Sequence, residues 1–290
     1  MAKIFAIAVC LIAWSAHLYA QVVDSVLVED YVLGSFQRAT RIALGTQGIL
    51  YVLDADENKI SMFTHLQDVP KTIGGFGWSS SSFDKPTGVA TDGVNVYISD
   101  YGNHRIQRFD RDLNYISSFS TRDTTDVVSR FGYPLDVALS ELGDLFILDG
   151  ENIRVMKFNT QNVFERAFGD INAGMGKLQN PVKLIATNSR IFVGDKNKIL
   201  LYDYFGNYLG SIGEGIINNL SGFTILTNGL LAASNDRVWW FSRDGALQTV
   251  SSLDNIISGE RIDQIQDIAC NGKQLFILSP ERIHVFNIGH

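Results

Sequence analysis

A short polar pattern returns six times along this 290-residue chain at nearly even spacing, and no other feature limits the fold as much. Four copies are plain: "DADENKISMF" (54–63), "DYGNHRIQRF" (100–109), "DGENIRVMKF" (149–158) and "DKNKILLY" (195–202). Two are degenerate: "SNDRVWWF" (234–241) and "SPERIHVF" (279–286). Each has a polar turn, a basic residue, then Ile or Val at once, then an aromatic. The basic residues are Lys59, Arg105, Arg154, Lys198, Arg237 and Arg282, with gaps of 46, 49, 44, 39 and 45. A period of this size marks supersecondary units that bury their apolar faces only against one another.

About fourteen residues before each Asp comes an apolar run broken by a turn, as in "PTGVATDGVNVYISD" (86–100) and "PLDVALSELGDLFILD" (134–149). β-Branched enrichment and the placement of Gly, Asn and Asp read as strand, turn, strand. A third strand starts at the basic residue and a fourth follows a short turn, as in "NYISSF" (114–119) and "FERAF" (164–168). Four short antiparallel strands in about 45 residues, with no helical periodicity between units, make one propeller blade. The sixth unit has three strands and stops at His290, while "DYVLGSF" (30–36) resembles the fourth strands. The expectation is an all-β, six-bladed propeller over 21–290 whose N-terminal strand, Val26–Leu33, completes the last blade. Such closure removes an open sheet edge.

These units, and above all "FDKPTGVATDGVNVYISDYGNHRIQRFD" (83–110), resemble the NHL-repeat family of six-bladed β-propellers. The resemblance runs over 22–288 and implies the fold. It is nearly silent on function, because that family includes RNA-binding domains, sensor domains, peptide-processing lyases and scaffolds.

The first twenty residues, "MAKIFAIAVCLIAWSAHLYA", read as a secretory signal peptide. Its apolar run, Ile4–Trp14, is shorter than the roughly 20 residues of a spanning helix, and no later stretch is long enough either, so no membrane span is expected. Cleavage would take the formal charge from −7 to −8 by removing Lys3, and would leave Cys270 as the one cysteine and no internal disulfide. An acidic, exported chain argues against nucleic acid, whose binding rests on Lys and Arg neutralising phosphates. The expected location is periplasmic or extracellular.

The polar turn around His104 tempts a metal reading, but its pattern recurs in every unit, so a turn role explains it: Asp100 accepting hydrogen bonds within its own turn, Gly102 and Asn103 near the left-handed region. His65, His104, His284 and His290 lie off the predicted inner strands and cannot converge on an axis as a zinc site needs. "DADEN" (54–58) and "DRDLN" (110–114) open like calcium loops but lack the Gly and Glu of later positions. No metal and no cofactor is expected.

What does not recur is the set of residues starting the inner strands: Arg41, Gly88, Asp136, Lys183, Phe223 (or Gly222) and Asp267. Neighbouring blades would pair Arg41 with Asp267 and Asp136 with Lys183 at one mouth of the channel. That charged mouth could be structural or could take a small charged ligand or a peptide. Trp78 in "GGFGWSSSS" (74–82) is a second candidate contact, either exposed for a partner or packed locally on a mobile connector. The expected role is a non-catalytic binding or scaffold module engaging an envelope or extracellular protein, a peptide or a small ligand through one face. The alternative is a channel-mouth hydrolase or lyase.

Overall fold

The structure, a computed structural model, describes residues 23–24, 26–64 and 69–288. The leader expected over 1–20, and His65 and His290, lie outside them. Six sheets follow one another around a ring. In blade two the strands are Pro86–Thr91, Asn95–Asp100, Arg105–Asp110 and Tyr115–Phe119, paired antiparallel from the axis outward. In blades one to five the third strand begins on the repeating basic residue.

Burial explains the composition of each strand. Second strands such as Leu50–Asp54 and Leu145–Asp149 are buried throughout, because both faces of a blade pack on neighbours and the run is apolar without alternation. The outer strand Tyr115–Phe119 is mostly exposed and polar. The core is six apolar clusters, one at each blade–blade interface among the described residues. Trp239 and Trp240 lie in one strand, so they point to opposite faces. Trp239 joins the cluster between blades four and five, and Trp240 packs on the one between five and six.

The ring closes as the sequence implies. Leu27–Leu33 pairs antiparallel with Ile283–Asn287, with Tyr31 opposite Val285. Side chains fix this closure: buried His284 meets Glu29 Oε1 through Nδ1 at 2.6 Å, and Arg282 donates to the Gly34 carbonyl at 3.0 Å. Two additions carry no repeat signal. Val23–Asp24 adds a parallel edge to the outer strand of blade five, and Ile256–Ile257 does the same on Leu27–Val28.

Inner strands in blades one to five each carry a bulge one residue after their start, between Ala39 and Arg41, Pro86 and Gly88, Pro134 and Asp136, Pro181 and Lys183, and Leu220 and Gly222. A bulge re-aims the side chains beside it. Here it separates two layers at the axis: the bulged residues Thr40, Thr87, Leu135, Val182 and Ser221, and below them the residues that follow.

Candidate functional site

The lower layer is the ring that the inner-strand starts predict. Its register settles blade five on Gly222, which faces Ala233 as Arg41 faces Leu53. Read in blade order, the ring is Arg41, Gly88, Asp136, Lys183, Gly222, Asp267: cation, glycine, aspartate, and again cation, glycine, aspartate.

The glycines make room for the acids. A Cβ on Gly88 would lie 2.2 Å from Asp136 Oδ1 and 2.7 Å from its Cα. A Cβ on Gly222 would lie 2.0 Å from Asp267 Oδ1 and 2.9 Å from its Cα. Each carboxylate then joins its own blade to the next. Asp136 accepts from its neighbour Val137 N at 2.9 Å and from Leu184 N of blade four at 2.7 Å. Asp267 accepts from Ile268 N at 2.9 Å and from Ile42 N of blade one at 3.1 Å. These hydrogen bonds compensate buried charge that would otherwise be costly.

The cations depart from the expected pairing. Lys183 donates to Asp267 at 2.5 Å, skipping blade five, instead of to Asp136. Arg41 pairs with neither acid. It crosses the axis and donates through Nη2 to the carbonyl of Val182 in blade four at 2.6 Å, and through Nη1 to Thr40 O at 2.9 Å. The adjacent-blade scheme fails because both cations take partners across the axis, Lys183 the Asp267 carboxylate and Arg41 the Val182 carbonyl. Burial pushes the Asp136 carboxyl up to about 6, against the pull of Arg41, the Leu184 N–H and Lys183.

This ring separates two spaces. Below it lies a second open space of about 250 Å³ bordered by Ala43, Ala90, Ala138 and Ala269. Above it, on the face where inner strands begin, is an open depression of about 430 Å³. The bulged Thr40, Thr87, Leu135 and Val182 line it, with Arg38, Arg41 and Lys85 as the charged residues of its wall. The bulged layer was legible as the residues one before each ring position.

The turn around His104 is structural. Asp100 is fully buried and accepts from Asp84 N in the connector entering its blade (2.8 Å), from Asn103 Nδ2 (2.9 Å) and from Arg105 Nε (2.7 Å). Asp54, Asp149 and Asp195 hold the same connectors in blades one, three and four. The left-handed residue is His104 itself (φ 52°), matched by Asn58 and Ile153, and not Gly102 or Asn103. The His104 ring packs against Tyr133 with centroids 4.1 Å apart and the rings tilted at 57°, and its Nδ1 accepts from Tyr133 N. Burial lowers its pKa. Asp110 accepts from the backbone N–H of Asp112 and Asn114, closing a turn. Among the described residues no group of three or more His, Cys, Asp or Glu is placed to hold a metal ion.

Trp78 is 69% exposed, as is Phe76 at 73%. Their connector is pinned: Arg105 donates to the carbonyls of Trp78, Ser79 and Ser82, and Asn103 to that of Gly77. The connector enters the inner strand of blade two, so both aromatics share the face of the depression.

Residues 83–109 match the NHL repeat family model. Over 147 residues, 49% of this chain, the sequence is 29% identical to Protein brain tumor of Drosophila melanogaster, and that match spans 14% of the fly protein. Among solved structures, a streptogramin B lyase superposes with a TM-score of 0.59 at 13% identity, covering 86% of this chain and 78% of the lyase. A catalytically inactive virginiamycin B lyase from Staphylococcus aureus with quinupristin gives 0.59 at 14% identity, covering 86% and 80%. At such identity the likeness shows the fold alone. No helix among the described residues is long and apolar enough to cross a membrane.

Proposed function

We propose, for a chain that is a six-bladed β-propeller carrying an NHL repeat, that it is an exported, non-catalytic module binding a protein or peptide through the face where its inner strands begin. The observation that carries this reading is the exposure of Phe76 and Trp78 on a connector held by five hydrogen bonds from Asn103, Arg105 and Gln107. Large aromatics held rigid in solvent lose little entropy on binding and supply much contact area. The depression, with Arg38, Arg41 and Lys85 in its wall, shares that face.

The test is affinity capture from an envelope or culture fraction with the immobilised chain. Phe76→Ser with Trp78→Ser should lower capture of any specific partner at least tenfold. Phe205→Ser, which removes an exposed aromatic from the opposite face, should leave it unchanged. Equal capture by both variants would defeat the assignment of the face.

A further inference from the structure

The depression above the ring has cations in its wall and no carboxylate, in a chain whose formal charge is −7. Arg38 is already paired, its Nε 2.7 Å from Asp56. Arg41 is not. Its two terminal nitrogens donate to carbonyl oxygens and it makes no contact ion pair, though its charge still draws on Asp136, and its Nε is buried with no hydrogen-bond partner. Thr40 Oγ1, in the same wall, is also buried and without a partner. Buried donors are ordinarily satisfied, and each exception asks for an explanation. Lys85 stands at the rim, its backbone in the left-handed region (φ 52°) and its N–H held by Asn58 Oδ1 at 2.7 Å. Pro86, Leu135, Pro181 and Val182 give the wall its aliphatic part, and Thr87, Tyr101 and Gln266 add further polar atoms.

We propose that this depression binds a carboxylate, with the Arg41 guanidinium as its recognising group, Thr40 as a hydroxyl partner and Lys85 as a rim charge. A guanidinium presents planar, fixed donors that match a carboxylate. Only two of its five N–H groups are spent on the protein. The volume of about 430 Å³ suits one short acid and its methylenes. The carboxylate could come from an acidic side chain of a peptide or from a small free diacid; the chemistry is shared. The inference rests on the same face as the proposed function and goes further by naming what the centre of that face recognises.

Titration calorimetry with the full chain separates the possibilities. The probes are an N-acetylated, C-amidated Ala-Glu-Glu-Ala peptide, its Gln counterpart, glutarate and sulfate. Saturable binding is expected for the Glu peptide or for glutarate, and which of the two binds tells the source. The Gln peptide and sulfate should bind at least tenfold more weakly. Arg41→Met should weaken the binding at least tenfold, and Arg190→Met, an exposed arginine away from this face, should not. In case Arg41→Met does not fold, the Arg41 Nε–H resonance of the wild-type protein should shift on adding the bound probe. Failure of both carboxylates to saturate, equal binding of sulfate, or an unmoved Arg41 resonance would overturn the proposal. Partner capture that depends on Phe76 and Trp78 while no carboxylate binds would sink this inference and leave the proposed function standing. Carboxylate binding with capture indifferent to those aromatics would do the reverse.

Discussion

Blades one to three and blades four to six place the same three residue types at the axis in the same order, and then use them differently. In the second half the cation closes on the acid of its own half, Lys183 on Asp267. In the first half Arg41 leaves Asp136 without an ion pair and turns toward the mouth, where Val182 O receives it. Both aspartates still join their blade to the next through backbone N–H groups. The joining function belongs to the fold and is duplicated. The cation's function is not, and the half that releases its cation is the half that can address a ligand.

Breaking the closed half should have the largest effect. Lys183→Met leaves Asp267 buried without its partner, and removing one member of a buried pair costs about 3–5 kcal/mol. Arg41→Met removes no ion-pair partner but does remove two hydrogen bonds from a charged group, and should cost less, about 1.5–3 kcal/mol. Urea unfolding of the two variants measures this directly. Equal losses would mean that the halves are equivalent and that the structure depends on Arg41 as much as on Lys183.

Titration should report the open half. The folded carboxyl of Asp136 is pushed up to about 6 from an unfolded 3.8. The folded state therefore holds the extra proton between those values, so this group favours folding most below about pH 4. That advantage fades as pH rises through 6. Two pKa units correspond to about 3 kcal/mol. The stability of the wild type minus that of Asp136→Asn should fall by about 2–3 kcal/mol between pH 4 and 7.5. A flat difference would place Asp136 in an ordinary carboxylate environment and remove this distinction between the halves.

The glycines test whether the halves share one geometry. Gly88→Ala and Gly222→Ala both drive a Cβ toward the next blade's aspartate, at 2.7 and 2.9 Å from its Cα. Overpacking against backbone costs about 1–3 kcal/mol, which at this size is a melting-temperature loss of about 2–4 °C per kcal/mol. The two losses should agree within about 1 kcal/mol. A marked difference would show that the triplet repeats in sequence and not in space.

Much of this architecture was legible in the chain. The Asp-turn-cation pattern located six third strands, and the absent final strand located its replacement at Leu27–Leu33, because both follow from local turn chemistry and from closing a ring. The ring positions followed from counting strand starts. Their partners did not. Lys183 meets Asp267 of blade six, and which side chains meet at the axis is a property of the closed ring that no single repeat encodes. Gly88 and Gly222 carry no functional signal in the sequence, since a missing side chain has meaning only beside the carboxylate that fills its space. The two-residue parallel edges at Val23–Asp24 and Ile256–Ile257 were invisible for a similar reason: they pair with distant segments and belong to no period.

The smallest effect is also the sharpest comparison, the conversion of one half into the other. Arg41→Lys gives the first triplet the residue types of the second. A lysine lacks the planar fork that holds Arg41 to Val182 O and Thr40 O, and as a compact flexible charge it is free to close on Asp136 as Lys183 closes on Asp267. A gain of ion pairing at Asp136 would draw its carboxyl below about 6, and would be offset in part by the two lost hydrogen bonds to carbonyls. The net expectation at pH 7.5 is a stabilisation of about 1 kcal/mol, with most of the pH dependence assigned to Asp136 gone. Carboxylate binding should weaken with it, because the cation that the mouth requires has been drawn into the ring. Should Arg41→Lys bind carboxylate as the wild type does while the Asp136 titration stays near 6, the cation of the first half is held outward by the shape of the channel and not by the chemistry of arginine.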